Sequence, residues 1–233
     1  MRRIGFSTGA LAKGDFVRGL KLQGEDCKAV ELSALRENEL DGLIEALPNL
    51  PLGHIEYVSL HAPSRIVSLT EKQLVLKLKS IMNQVDGIVV HPDIIKETSI
   101  WESLEDKLLL ENMDQRKPIG RTADELQHYF KALPNARFCL DLGHALQVDP
   151  TQGVTVELLN RNSSRLAELH ISSVDIFSKH IAISSSARSA FQRIAPRLPS
   201  EIPVIIESVI SPDKIDDEIK YARGALENIA VPH

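Results

Sequence analysis

Short apolar segments recur along this chain, and most of them end on a polar side chain that can bind a metal ion or move a proton. Six segments end on His, Asp or Glu at nearly even spacing, a seventh follows after a longer gap, and the first, RRIGFS, reaches Ser7. The seven end residues are Glu31, His61, His91, Glu111, Asp141, His170 and Glu207. Steps of about 30 residues predict a repeating strand–helix unit, because a parallel crossover with its helix needs roughly that length.

Segments with helical periodicity lie between these predicted strands. In the first of them, over residues 70–85, one face is apolar, and Thr70 with Gln73 resembles a capping box. We predict the same capping device at Thr122 with Glu125. The helices predicted in this way are 70–85, 122–133, 154–162, 185–198 and 211–230.

The predicted strands are continuous in Val, Ile and Leu, which is typical of a parallel sheet buried on both faces. An open doubly wound sheet would also alternate strands and helices, but only the strands at its switch point line the ligand crevice. A closed barrel instead brings the carboxyl ends of all its strands to one rim. We therefore predict one α/β domain over residues 1–233, a single (β/α)8 TIM barrel slightly shorter than the ~250 residues typical of that fold.

The bulk composition is that of an ordinary globular protein, with 43% hydrophobic and 25% charged residues. Cys27 and Cys139 lie far apart without metal-type spacing, which indicates a reducing compartment. The start of the chain passes directly into a strand, and no run approaches the ~18 apolar residues of a membrane span. We expect a cytoplasmic protein without a signal peptide or a membrane segment. The net charge of −5 argues weakly against a general polyanion binder.

Four of the strand-end residues form a candidate metal site with three oxygen ligands and one nitrogen ligand. They are Glu111, Asp141, His170 and Glu207. Three carboxylates forced together repel one another unless a cation lies between them. Such a set suits Mn²⁺, Mg²⁺, Co²⁺ or Zn²⁺. The alternative, that each residue caps a helix or pairs with an arginine, explains four consecutive strand ends less well.

Histidines form a second layer of candidate ligands. His61 and His91 end the two strands before Glu111, so a bridging Glu111 would serve a second metal with them. The alternative is that both histidines bind substrate hydroxyls or a phosphate group. His144 follows Asp141 by three residues, and His180 lies in the loop after the seventh strand, where it is either a further ligand or a solvated histidine.

In their order and spacing, the strand-end motifs resemble those of the xylose isomerase-like barrel superfamily. That superfamily includes sugar isomerases and epimerases, and the endonuclease IV branch of abasic-site DNA repair (AP endonuclease family 2). The resemblance extends from the first strand to Glu207, over nearly the whole chain. The motifs are SLHAPS around His61, VVHPD around His91, LLLENMD around Glu111, CLDLGHA around Asp141 and His144, ELHISS around His170 and VIIES around Glu207.

Resemblance to the isomerase branch implies one metal held by the four-residue set. Glu111 and Glu207 would then exchange protons with the carbons next to a substrate carbonyl, and His144 would hold a substrate oxygen. Glu31 resembles a strand-2 glutamate that is frequent in this branch and is expected to bind substrate; its alternative role is a structural ion pair.

Resemblance to the endonuclease IV branch implies clustered zinc. His61 and His91 would join Glu111 on one ion, the four-residue set would hold a bridged ion, and His144 with His180 would serve a third. That branch has an Asp-Arg-His triplet in the loop after the seventh strand, whereas this chain has Ser178-Lys179-His180. Because the aspartate is missing, we do not expect a complete trinuclear site.

The short predicted rim loops favour the sugar isomerase and epimerase branch. The nearly constant strand spacing predicts short rim loops, and aromatic residues are 4% of the chain, so little is available to wrap a duplex or replace a flipped nucleotide. The basic residues of these loops would suffice for one phosphate group, but are few for a duplex backbone. They are Arg65, Arg116, Lys117, Arg121 and Lys179.

The favoured prediction is therefore an isomerase or epimerase that acts on a small sugar, sugar phosphate or polyol with one or two divalent metals (Mn, Zn, Co or Mg). Arg65 and Lys179 are its candidate substrate contacts. A di-zinc phosphoesterase related to endonuclease IV is the alternative, and a barrel that only binds a metabolite is the third. We do not expect nucleic acid or a membrane as a partner, and a homo-oligomer is compatible with the sequence.

Overall fold

The predicted strand-end segments form β-strands, and in the part of the chain that the computed structural model describes, residues 2–227, eight parallel strands make one barrel. A two-stranded antiparallel hairpin, β8 with β9, follows the seventh strand. The strands are β1 (Ile4–Phe6), β2 (Ala29–Ser33), β3 (Tyr57–His61), β4 (Gly87–Val90), β5 (Leu108–Glu111), β6 (Arg137–Asp141), β7 (Leu166–Ile171), β8 (Ser173–Val174), β9 (His180–Ile181) and β10 (Val204–Ile206).

Neighbouring barrel strands pair in the order β1, β10, β7, β6, β5, β4, β3 and β2. A parallel bridge between Ser7 and Glu31 joins the two ends of this sheet, and the Lys28 N–H donates to the carbonyl oxygen of Ile4 at 3.0 Å. The sheet therefore closes on itself, which confirms the predicted (β/α)8 barrel and leaves the strands buried between the barrel interior and the surrounding helices.

Ten α-helices within residues 2–227 surround or flank this barrel. They are α1 (Thr8–Ala12), α2 (Phe16–Leu22), α3 (Glu37–Ala46), α4 (Glu71–Ile81), α5 (Thr98–Trp101), α6 (Ala123–Ala132), α7 (Leu142–Val148), α8 (Gly153–Asn162), α9 (Ser185–Ile194) and α10 (Ile215–Leu226). None of the described helices has both the length and the apolar character that a membrane crossing needs.

The predicted helices are present, with shifted ends. The segments 70–85 and 185–198 begin as α4 and α9 and finish as short 3₁₀ turns, and 211–230 starts late, at Ile215. Positions 228–230 of the last prediction lie outside the described residues. The α4 capping box forms as predicted, since Thr70 Oγ1 accepts from the Gln73 N–H and Gln73 Oε1 accepts from the Thr70 N–H.

The predicted capping box of α6 is wrong in one half. Thr122 Oγ1 accepts from the Glu125 N–H at 3.3 Å, as expected. The Glu125 carboxylate, however, accepts from the N–H of Arg121 and pairs with the Arg121 guanidinium at 3.0 Å. The guanidinium draws the carboxylate one residue further back, so the reciprocal bond to Thr122 is absent.

Seven of the barrel strands place a ligand-type side chain at or near the rim. His61, Glu111 and Asp141 are the last residues of their strands. His91 and Glu207 follow β4 and β10 directly, and His170 lies one residue before the end of β7. Glu31 departs from the expected strand end, because β2 continues to Ser33, which pairs with His61. Its side chain is therefore set deeper in the barrel and is completely buried.

Candidate metal centre

Four side chains from adjacent strands meet at the carboxyl end of the barrel. Glu111, Asp141, His170 and Glu207 each offer a ligand atom, and these atoms lie within 4.8 Å of one another. Three of them are completely buried or nearly so, and the Glu207 side chain is 12% exposed. The predicted set of three carboxylates and one imidazole is thus brought together in a largely buried site.

The hydrogen bonds of this group leave lone pairs that a cation would satisfy. Asp141 Oδ2, His170 Nδ1 and Glu207 Oε2 are buried, and none has a hydrogen-bond partner among the described residues. The His170 Nε2 lies 2.7 Å from Glu168 Oε1, so in the neutral ring Nε2 carries the donated proton and Nδ1 has the lone pair. Buried polar atoms rarely stay unpaired, so either a second proton on His170 or a cation must separate His170 Nδ1 from Glu207 Oε2, which lie 3.4 Å apart. These residues fit a divalent metal.

A second group lies on the other side of Glu111. This group consists of His61 and His91, whose Nε2 atoms lie 3.3 Å and 3.2 Å from Glu111 Oε2. His61 Nδ1 lies 2.8 Å from the carbonyl oxygen of Ala62, so the proton of the neutral ring is on Nδ1 and the Nε2 lone pair faces the carboxylate. Either a second proton on His61 or a cation must separate that lone pair from Glu111.

The two oxygens of Glu111 thus belong to different histidine groups. Oε2 faces His61 and His91, whereas Oε1 lies 3.5 Å from His170 Nδ1 and 3.4 Å from His144 Nδ1. Glu111 is therefore the carboxylate that would be shared if a metal ion were held by each of the two ligand sets.

A third group contains Asp141, His144 and His180. His144 Nε2 lies 3.2 Å from His180 Nε2, and His144 Nδ1 lies 3.0 Å from the carbonyl oxygen of Asn112. Asp141 is the carboxylate of this group and also belongs to the four-residue set. Ser178, at the position where the endonuclease IV triplet has aspartate, hydrogen-bonds Gln147 instead.

The pKa values in the metal-free site follow from burial set against neighbouring charges. Burial would lower the pKa of His61, but the carboxylates of Glu31, Glu111 and Glu207 outweigh it and raise that pKa to about 9. Burial raises the pKa of Asp141 to about 6, against the opposing effect of His144. Protons therefore occupy part of the site when metal is absent.

Two acidic residues that the sequence pattern did not single out, Asp93 and Asp114, pair with the predicted basic rim residues beside these ligands. Lys117 Nζ donates to Asp93 at 2.7 Å and lies 3.3 Å from His91 Nδ1. Arg116 pairs with Asp114 and also donates to the carbonyl oxygen of Ser178 at 3.0 Å. These contacts hold the VVHPD and ENMDQRK loops against the site. Asp93 lies two residues after His91 and Asp114 three residues after Glu111, and this closeness to predicted ligands is the sequence feature that could have indicated their role.

The ligand groups open into a cavity of about 450 Å³. His61, His91, Glu111, His144, His180 and Glu207 line it, together with Ser64, Arg65, Arg116 and Lys117. Of the predicted substrate contacts, Arg65 and His144 therefore face the cavity. The described lining does not include Glu31, which is buried beneath it, or Lys179, which is exposed on the β8–β9 hairpin.

No family model matches the chain, and no curated protein matches it at a significant level. Solved structures do. Endonuclease IV of Thermus thermophilus is 18% identical with a TM-score of 0.61, over 96% of this chain and 98% of that one. A protein described as a sugar phosphate isomerase/epimerase of Anabaena variabilis is 14% identical with a TM-score of 0.65, over 97% and 98%. A fusion protein with a xylose isomerase-like TIM barrel is 11% identical with a TM-score of 0.61, over 96% and 42%. These similarities confirm the (β/α)8 barrel fold.

Proposed function

We propose that this protein is a divalent-metal-dependent phosphoester hydrolase whose centre holds two metal ions bridged by Glu111. The observation that carries the proposal is the orientation of the Glu111 carboxylate, with Oε2 toward His61 and His91 and Oε1 toward His170 and His144. A one-metal isomerase needs the four-residue set, but it gives the His61 and His91 pair no ligand role. The geometry of this pair favours phosphoester hydrolysis over the sugar isomerisation that the sequence pattern favours.

The chain's own residues support an anionic substrate. His61 and His91 would hold one ion with Glu111, while Asp141, His170 and Glu207 would hold the other. Two divalent ions held by these residues would neutralise phosphate charge and activate the water that attacks the phosphorus. Arg65 lines the same cavity and adds positive charge, while Arg116 and Lys117 line it as ion pairs with Asp114 and Asp93.

The substrate of the proposed hydrolase is a small phosphoester. A cavity of about 450 Å³ is of the size of small-molecule sites, which are about 300–1,000 Å³. Arg116 and Lys117 are already paired with Asp114 and Asp93, so few free cations are left for a nucleic-acid backbone. We therefore keep the expectation that duplex DNA is not the partner.

The second candidate is the sugar isomerase or epimerase favoured by the sequence. The observation in its favour is that Glu111 and Glu207 lie on the same cluster with Asp141 and His170, as paired proton-transfer groups around one metal would. The fold similarity to a protein described as a sugar phosphate isomerase/epimerase is compatible with it.

Metal content and turnover together test the proposal. Protein purified without chelator is analysed for metal per chain, then assayed after loading with Zn²⁺, Mn²⁺, Co²⁺ or Mg²⁺. The substrates are p-nitrophenyl phosphate, its bis ester, an abasic-site oligonucleotide and a panel of sugars and sugar phosphates. Two equivalents with phosphoester hydrolysis support the proposal. One equivalent of metal per chain with sugar isomerisation supports the second candidate. If the metal-loaded protein catalyses neither reaction, the remaining interpretation is a barrel that only binds a metabolite.

A further inference from the structure

Glu168 and Tyr57 form a buried polar pair beneath the candidate metal centre. Barrel interiors are usually filled by apolar side chains at this depth. Glu168 on β7 is completely buried, and both of its oxygens have a donor. Oε2 accepts from the Tyr57 hydroxyl at 2.7 Å, and Oε1 lies 2.7 Å from His170 Nε2. The contact joins strands β3 and β7, and the two residues are 111 positions apart in sequence.

This contact determines which nitrogen of His170 faces the rim ligands with a lone pair. In the neutral ring, the proton on Nε2 is donated to Glu168, and the Nδ1 lone pair lies 3.5 Å from Glu111 Oε1 and 3.4 Å from Glu207 Oε2. The opposite tautomer would set the Nε2 lone pair against the Glu168 carboxylate at 2.7 Å, which is repulsive. Glu31 Oε2 lies further from Nε2, at 3.3 Å.

We propose that Glu168 is a positioning residue for the metal centre: with Tyr57, it holds His170 in the Nε2–H tautomer and presents Nδ1 to the ion shared with Glu111, Asp141 and Glu207. A carboxylate behind a ligating imidazole also increases the basicity of the ligand nitrogen. The inference rests on the metal centre of the proposed function and is independent of the reaction performed there.

Glu168 is better placed behind the ligand than as a ligand itself. Cys139 and His170 lie close enough to it to suggest a separate metal group. Both Glu168 oxygens, however, already accept hydrogen bonds, and burial raises the pKa of the Cys139 thiol well above its usual value, which disfavours the thiolate. Burial likewise raises the pKa of Tyr57, so its hydroxyl keeps the proton that it donates to Glu168.

Zinc affinity of a charge-removing variant tests the proposal. Glu168→Gln keeps the size of the side chain and loses the charge. We expect it to bind one of two Zn²⁺ equivalents roughly 10- to 100-fold more weakly in competition with a chromophoric chelator. The equivalent that depends on His91 should be unchanged. Glu71→Gln is the matched control, since that carboxylate accepts three N–H donors at the start of α4, away from the rim, and should leave both affinities unchanged.

A measurement on the unaltered protein keeps the test independent of how the variant folds. Long-range ¹H–¹⁵N spectra of the zinc-loaded protein should show His170 protonated at Nε2 and metal-bound at Nδ1. Metal at Nε2, or Zn²⁺ affinities equal to the parent's in folded Glu168→Gln, would overturn the positioning role alone. A parent protein that binds no divalent metal would overturn this inference together with the proposed metal centre.

Discussion

Asn112 forms two hydrogen bonds with the backbone of Asp141. Its Nδ2 donates to the Asp141 carbonyl oxygen at 2.9 Å, and its Oδ1 accepts from the Asp141 N–H at 2.8 Å. Both residues are completely buried. The side-chain amide thus extends the pairing of β5 with β6 past the end of β5, and it fixes Asp141 relative to Glu111, the residue before Asn112.

Replacing Asn112 by alanine should therefore weaken metal binding as well as stability. The change leaves a buried N–H and a buried carbonyl without partners, at a cost of about 1–3 kcal/mol in the free energy of unfolding. Urea unfolding measures that cost, and a metal titration measures the affinity.

Asn162→Ala is the matched control for this prediction. Asn162 is also completely buried and also makes two side-chain hydrogen bonds, to Leu158 and Gln127, but it lies on α8. We expect a similar loss of stability with unchanged metal affinity. Equal metal affinity in both variants would show that Asn112 has a structural role only.

His91→Ala distinguishes a two-metal centre from a one-metal centre. Because His91 Nε2 faces Glu111 Oε2 at 3.2 Å, on the side away from His170, its loss should remove one metal equivalent and leave the other. In a one-metal enzyme the metal content would stay the same and KM would rise. Elemental analysis of the loaded variant decides between these outcomes, with His128→Ala, on the exposed face of α6, as the control.

Glu207→Gln should abolish turnover while sparing the fold. Glu207 is a proposed metal ligand in the hydrolase and a proton-transfer group in the isomerase, so we expect a loss of roughly 100-fold or more in kcat under either mechanism. The fold should be spared because Glu207 Oε2 has no hydrogen-bond partner among the described residues. Steady-state kinetics and thermal unfolding test both parts, with exposed Glu201→Gln as the control. Retained activity would remove Glu207 from the mechanism.

The rim of this barrel could be predicted from sequence because its geometry is local. Each strand–helix unit has a nearly fixed length, so a polar residue that follows an apolar run falls at the carboxyl end of a strand, and all of these ends share one rim. His61, Glu111 and Asp141 lie there for that reason. Their roles as ligands stay predictions.

The supporting contacts could not be predicted in the same way, because they depend on strand register. Glu31 was expected at a strand end, yet β2 continues for two residues and sets it under His170. Glu168 carries a weak signal, since it lies two residues before His170 and therefore on the same face of β7. Its contact with Tyr57 links positions more than 100 residues apart, and no local pattern specifies that pairing.

Metal binding should depend on pH through His61, whose pKa the surrounding carboxylates raise from 6.5 to about 9. A pKa that is higher in the folded protein contributes stability that is complete below about pH 6.5 and is lost as the pH rises through about 9. The contribution of His61 to the stability of metal-free protein should therefore fall from pH 7 to pH 9.5.

Metal affinity should change in the opposite direction, because a metal ion at His61 must displace this proton. We expect the affinity for the ion held by His61 to rise about tenfold per pH unit between roughly pH 7 and 9, and to level off above pH 9. Calorimetry in buffers of different ionisation enthalpy measures the protons released. At pH 7.5, His61→Gln should release about one proton fewer than the parent, since it lacks the group that competes with the metal. Equal proton release from both proteins would mean that His61 is neutral before metal binds.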